Sequence, residues 1–246
     1  MTAIFISDVH IKDSGSIKTQ LVIRFLQEVA SQFDQIYILG DLFDIWPGTS
    51  GYFVGLFKPV LDVLKRLVDE GHEVYYVEGN HDFLLGDYFS TELGIHVAPN
   101  ELVKEINGRK VFMTHGDLGN PNEFGYRVLR YALRHPATQS LVRALPQHWV
   151  YESGLRGAHL SRTYQKKSEV VESTIRQIYR KTAESIFRQG YDVVLMGHTH
   201  LPDDVSTIVN GRSCRYINTG DWIRHFTYLE FRDGDFYTKT HPVKDL

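Results

Sequence analysis

The sequence predicts a mixed α/β sandwich with a helical insertion, on three observations. Short β-branched apolar runs alternate with helix-spaced segments in the first half, a helix-only stretch follows, and the last part turns to strands with a hairpin signal. The runs Ala3 to Ile6 and Gln35 to Leu39 read as buried strands. Between and after them, Ile17, Leu21, Phe25 and Val29, then Val60, Leu64 and Leu67, recur at helical spacing, with Gly71 placed as a stop. Val74 to Val77 completes a β-α-β-α-β order, and Lys110 to Thr114 and Asp192 to Met196 add two more strands. Beyond Gly197, "CRYINTG" and "TYLEFRDGDFYTKT" are strand-like, and Asp233-Gly234 between alternating residues marks a hairpin.

From Leu118 to Gly190 the spacing is helical throughout, with Phe124, Val128 and Ala132 and then Leu141, Leu145 and Trp149. The expected organisation is therefore one domain over 1–246 with a helical insertion at 118–190. That insertion holds 12 Lys or Arg against 5 Asp or Glu, whereas the rest of the chain holds 15 against 25. Arg127, Arg130 and Arg134 share one helix face, which on charge patterning alone is either a solvated surface or a binding face. A net charge of −3 argues against a dedicated nucleic-acid binder. Cys214 is the only cysteine, so no internal disulfide is possible and a reducing compartment fits. No basic leader with an apolar stretch opens the chain, and no run approaches the roughly 18 apolar residues of a spanning helix. The expectation is a cytoplasmic protein, able to rest on a membrane surface.

The chemistry collects where the strands end. "SDVH" supplies Asp8 and His10, "GDLFD" supplies Asp41 and Asp44, and "GNHD" supplies Asn80, His81 and Asp82. "HGD" then gives His115 and Asp117, and "GHTH" gives His198 and His200. Each cluster alone could be a cap or a surface pair, but carboxyl ends of strands in open α/β sheets face a common crevice, so five clusters at five ends can converge. Carboxylate, imidazole and amide oxygen without thiolate suit Mn²⁺ first, with Fe²⁺ or Zn²⁺ as the other choices. A two-ion site needs a bridging carboxylate, and Asp41, directly after Gly40, is the natural bridge. His72, His96, His135, His148, His159, His225 and His241 match no motif and read as surface or core.

In this order the motifs D-x-H, G-D-x-x-D, G-N-H-D, H-G-D and G-H-T-H resemble the calcineurin-like metallophosphoesterase superfamily over nearly the whole chain up to Gly220. The resemblance implies a two-sheet β-sandwich flanked by helices. It also implies one metal held by Asp8, His10, Asp41 and His200 and a second by Asp41, Asn80, His115 and His198, with a bridging water or hydroxide attacking phosphorus in line. "YILGDLFDIW", "DFLLG", "GYRVLR", "LVRALP" and "GHTHLP" are further similar to the UDP-2,3-diacylglucosamine pyrophosphohydrolases of lipid A synthesis, which release UMP and an acylated sugar 1-phosphate. That likeness implies a lipidated nucleotide-sugar substrate, with the insertion as a lid sheltering acyl chains while its Arg and Lys meet phosphates or anionic lipid heads. Tyr126, Ser161, Lys166 and Lys167 are its candidate substrate contacts, beside Asn80 and His81. By the same likeness His81 meets the phosphate in transit and Asp82 orients the cluster behind it. Two departures stand out: His81 occupies a place where that family has Arg, and Asp44 one where it has Glu. His81 is what the wider superfamily carries, so a metallophosphodiesterase acting on another nucleotide, phosphodiester or nucleic acid is the alternative.

Overall fold

The computed structural model describes residues 1–164 and 169–242, with side chains outside 158–169. Among these the chain runs β1 (Ala3–Ile6), α1 (Ile17–Glu28), β2 (Gln35–Ile38), α2 (Gly51–Asp69), β3 (Glu73–Val77), β4 (His96–Ala98), β5 (Glu101–Ile106) and β6 (Arg109–Thr114). Helices α3 (Phe124–Arg134), α4 (Pro136–Ala144), α5 (Gln147–Tyr164) and α6 (Glu169–Phe187) follow. The chain then returns to strands with β7 (Val193–Met196), β8 (Asp203–Val209), β9 (Arg212–Asn218), β10 (Thr227–Arg232) and β11 (Asp235–Thr240).

Two sheets result, ordered β11-β10-β1-β2-β3-β4 and β5-β6-β7-β9-β8. The alternation of side chains along a strand sorts them into layers. Ile4, Ile6, Ile36, Ile38, Val74 and Tyr76 face α1 and α2, whereas Phe5, Tyr37, Leu39, Tyr75 and Val77 face the second sheet and meet Val111, Met113, Val193, Leu195 and Ile217. The outer face of the second sheet, through Phe112, Val194, Met196 and Tyr216, packs on Tyr179, Ala183 and Phe187 of α6. The order of layers is thus helices, sheet, sheet, helix, with strands buried on both faces, which is why their sequences read as continuous apolar runs.

Topology places the site. β1, β2 and β3 pair in parallel, and so do β6, β7 and β9, so three carboxyl ends of each sheet open on one rim. Asp233, at φ 53°, and Gly234, at φ 83°, make the turn between β10 and β11 that the sequence predicts. Strands β4, β5 and β8 were not anticipated, and all three lie at sheet edges. The half-exposed, charged sequences of β5, "ELVKEI", and β8, "DDVSTIV", lack the apolar run that betrays a central strand, and β4 is only three residues long.

The expected basic face of α3 exists, with Arg130 and Arg134 turned to the body and Arg127 at its exposed edge. Arg130 Nε donates to Asp117 at 2.8 Å, Arg134 Nη1 donates to Glu78 at 2.6 Å, and Arg127 Nη2 donates to the Leu118 carbonyl at 2.7 Å. The charges of Arg130 and Arg134 thus pair with buried acids of the body. The adjacent stripe carries the exposed apolar side chains, Phe124 at 75%, Val128 at 52% and Tyr131 at 75% of full accessibility. No helix among the described residues is long and apolar enough to cross a membrane.

Candidate metal centre

After β1 and β2 the chain does not diverge; the exits stay zipped together. Asp8 N donates to the Gly40 carbonyl at 3.1 Å, His10 N to the Asp41 carbonyl at 2.9 Å and Ile11 N to the Leu42 carbonyl at 2.8 Å. This pairing holds Asp8, His10 and Asp41 in fixed register. Asp8 (φ 55°), His10 (54°), Asp41 (56°), His198 (66°) and His200 (58°) all sit in the left-handed region. A non-glycine residue there is uncommon and costs energy, and five at one rim mark a place where side-chain direction outweighs backbone comfort. Gly40 shows how tight the turn is: a Cβ there would lie 2.5 Å from His115 Nδ1 and 2.8 Å from the Gly79 Cα.

The side chains fall into two groups that share Asp41. In one, His10 Nε2 is 3.3 Å from His200 Nε2 and 3.8 Å from Asp41 Oδ2, and His200 Nε2 is 3.5 Å from Asp8 Oδ1. In the other, Asn80 Oδ1 is 2.9 Å from both His115 Nε2 and His198 Nδ1, and His115 Nε2 is 3.4 Å from Asp41 Oδ2. The structure thus brings together the residues of each quartet that the resemblance implies, and His10, Asp44 and His81 form a further close group beside them. The donor set fits divalent ions: Asp8 Oδ1 is fully buried without a hydrogen-bond donor, and imidazole nitrogens and carboxylate oxygens converge within 4.8 Å of one another.

Charge at the rim reflects this crowding. Burial pushes the His115 imidazole down, but Asp41 outweighs it and holds the ring well above its ordinary 6.5. Burial lowers His10 and His198 to about 3, so both are neutral and offer lone pairs. Partners behind the rings fix their direction: His115 Nδ1 donates to the Leu39 carbonyl at 2.8 Å, and His10 Nδ1 lies 3.2 Å from Asp44 Oδ1.

Asp82 is fully buried under the Asp41 turn. Its Oδ1 accepts from the amides of Asp41 (2.8 Å) and Gly79 (3.1 Å), and its Oδ2 from Phe43 N (3.1 Å) and the Tyr76 hydroxyl (2.5 Å). It orients the Asp41 turn rather than the neighbouring histidine, and burial, then Asp41, push it up to about 7. His81 Nδ1 donates to the Asp44 carbonyl at 2.8 Å, and the ring lines the cavity.

That cavity, about 620 Å³, has His10, Asp41, Asn80, His198 and His200 at one end and Ile45, Phe83, Leu129, Leu133, Val142 and Val150 along its walls. Tyr126 also lines it, with its hydroxyl donated to Asp117 at 2.5 Å. Lys166 and Lys167 lie outside the described residues, as does the side chain of Ser161. Two acids behind the rim are not among the site residues that the sequence singles out. Glu78 accepts from Leu85 N as well as Arg134, and Asp221 lies 3.2 Å from His200 Nδ1. The polar "NTGDW" after a strand was the available signal for Asp221.

The sequence profile of calcineurin-like phosphoesterases matches residues 1–202. The chain belongs to the calcineurin-like phosphoesterase family. This phosphoesterase is 34% identical over 245 residues to a UDP-2,3-diacylglucosamine hydrolase of Stenotrophomonas maltophilia, covering 98% of both chains. A UDP-2,3-diacylglucosamine hydrolase of Ectopseudomonas mendocina is 32% identical over 240 residues, 96% of each chain, and one of Pseudomonas aeruginosa is 31% identical over 234 residues, 94% and 95%. As a member of the family the chain is a metal-dependent hydrolytic enzyme.

Proposed function

We propose that this phosphoesterase cleaves the pyrophosphate of UDP-2,3-diacylglucosamine, or a near relative of it, to UMP and an acylated sugar 1-phosphate. The observation that carries the reading is the continuity of one cavity from a carboxylate-imidazole cluster to an apolar wall. A phosphate needs the first and acyl chains need the second, and the name that the relatives share joins the two.

Asp8, His10, Asp41 and His200 would hold one divalent ion, and Asp41, Asn80, His115 and His198 the other, Mn²⁺ being the first choice for oxygen and imidazole donors. Two such ions supply an activated water and charge stabilisation at the phosphoryl oxygens. The chain's own part is orientation. Asp82 holds the Asp41 turn, Asp44 and the Leu39 carbonyl hold His10 and His115, and His81, with Nδ1 committed to the Asp44 carbonyl, turns Nε2 to the cavity. From there Nε2 faces a phosphoryl or leaving oxygen of the bound substrate. Of the expected 118–190 insertion, helices α3 to α5 act as the lid of a single domain, sheltering acyl chains along Leu129, Leu133 and Val142, while α6 packs on the second sheet as part of the body. The lid's exposed Phe124, Tyr131 and Trp149 fit a cytoplasmic protein resting on an anionic membrane face.

The test incubates purified protein and Mn²⁺ with UDP-2,3-diacylglucosamine and, in parallel, with the unacylated UDP-sugar, following UMP by chromatography. Release from the acylated substrate alone is expected, and a His81→Arg variant shows whether the family's arginine serves equally. Equal release from both, or faster turnover of a simple phosphodiester, would overturn the lipid reading in favour of a general metallophosphodiesterase.

A further inference from the structure

Behind His200, at the carboxyl end of β9, lies a buried carboxylate held from both sides. Asp221 Oδ2 is 3.2 Å from His200 Nδ1, while Oδ1 accepts the amides of Ile223 (3.2 Å), Arg224 (2.9 Å) and His225 (2.9 Å), with His225 Nδ1 3.3 Å from the same oxygen. The residue is 1% exposed. Its loop is tied to the site by Trp222 N, which donates to the Asp8 carbonyl at 3.1 Å, and to the second sheet by Thr219 N, which donates to the Met196 carbonyl at 2.9 Å. We propose that Asp221 is a positioning residue that locks His200 in the Nδ1–H tautomer, so that Nε2 presents its lone pair toward Asp8 and His10 for a divalent cation. The proposal rests on the reading of His200 as a metal ligand.

The argument is one of donors and acceptors. An ionised carboxylate only accepts, so the ring nitrogen facing it carries the hydrogen and the other nitrogen is free to ligate. Asp221 cannot rotate away, because three backbone amides fix Oδ1. The Leu39 carbonyl imposes the same tautomer on His115, and Asp44 faces Nδ1 of His10, so Asp221 completes a set in which each of these rings has an acceptor behind it. In "NTGDW" the acid stands four residues after Ile217, the last core residue of β9, at the distance where the strand passes the rim.

The shape of Asn separates this role from simple loop support. In Asp221→Asn the side-chain oxygen stays on the three amides, so the NH₂ group faces His200 Nδ1 and draws the ring into the Nε2–H tautomer, which cannot ligate. Asp221→Ala loses the loop bonds but leaves the ring free to choose. Calorimetric titration of chelated protein with Mn²⁺ is expected to show one of the two sites weakened about 10- to 100-fold in Asp221→Asn, and less in Asp221→Ala. A loop-support role predicts the reverse order, with Asn near wild type, and that result would overturn the proposal. His200→Ala is the reference: if it too binds two ions with wild-type affinity, the ligand reading fails and the proposal with it. If it alone is weakened, only the role of Asp221 fails. Should the variants not fold, ¹⁵N spectra of histidine-labelled wild-type protein loaded with Zn²⁺ decide the matter. Hydrogen on Nδ1 of His200 is expected, and hydrogen on Nε2 refutes the lock.

Discussion

At the strand ends, Asp8, His10, Asp41, His198 and His200 stand in left-handed backbone whose amides and side chains are bonded within and between the two sheets. Helix α3, directly above, is joined to the body by Arg130 and Arg134 and leaves Phe124, Val128 and Tyr131 to solvent. The first region spends conformational energy to fix a few atoms; the second spends polar contacts to hold an apolar wall at a fixed height. The sheets therefore offer donor atoms that cannot adjust, and the helices an apolar wall whose attachment rests on few bonds.

Breaking the rigid half has the largest expected effect. Asp41→Asn removes charge from the residue common to both groups, and turnover should fall by more than the roughly 100-fold that losing an outer-shell partner costs. A variant within tenfold of wild type in steady-state assays would remove Asp41 from the bridging role. Breaking the attachment comes next. Arg134→Ala leaves Glu78 buried and unpaired, a change worth about 3–5 kcal/mol when an ion pair is fully buried and less here, where the arginine is 16% exposed. Limited proteolysis should open helices α3 and α4, with turnover of acylated substrate falling while a small phosphodiester is still cleaved. Equal loss of both would dissolve the division of labour between the two regions.

Protons sharpen the comparison further. In the metal-free protein His115 is held protonated by Asp41, so filling the second group displaces a proton, and Mn²⁺ affinity should fall about tenfold per pH unit on acidification below the raised pKa. Titration in buffers of different ionisation heat counts that proton. Stability of the metal-free protein carries the opposite sign. With its folded pKa raised, His115 contributes stability that is fully present below the ordinary 6.5 and is lost as pH rises through the folded value. The smallest effect is expected at the outer stripe: Phe124→Ser should leave stability within about 0.5 kcal/mol and detergent-phase turnover unchanged, while reducing co-sedimentation with anionic vesicles.

The central strands and the polar clusters that end them were legible because both are local signals: a run of apolar residues, then Asp, Asn or His beside Gly. Edge strands β5 and β8 were not, since a strand that is half in water carries Lys, Glu and Asp where the eye expects a loop. The direction of the arginine stripe was not either. Nothing near Arg134 reveals that Glu78, far away in sequence, waits under it. Asp221 was visible as a polar residue after a strand, but its meaning depends on β9 lying in parallel beside β7, which no stretch of sequence states.

Each of the two groups draws on both sheets. Asp8, His10 and Asp41 come from the exits of β1 and β2, and His200 from that of β7; Asp41 and Asn80 follow β2 and β3, and His115 and His198 follow β6 and β7. An ion in either group is accordingly a staple across the seam of the sandwich, and its binding free energy is also cohesion between the layers. Loading with metal should raise the melting temperature, and a core substitution at the seam, such as Leu195→Ala, should register as weakened metal binding as well as lowered stability. Catalytic competence and the packing of the two sheets are then one thermodynamic quantity read at two places.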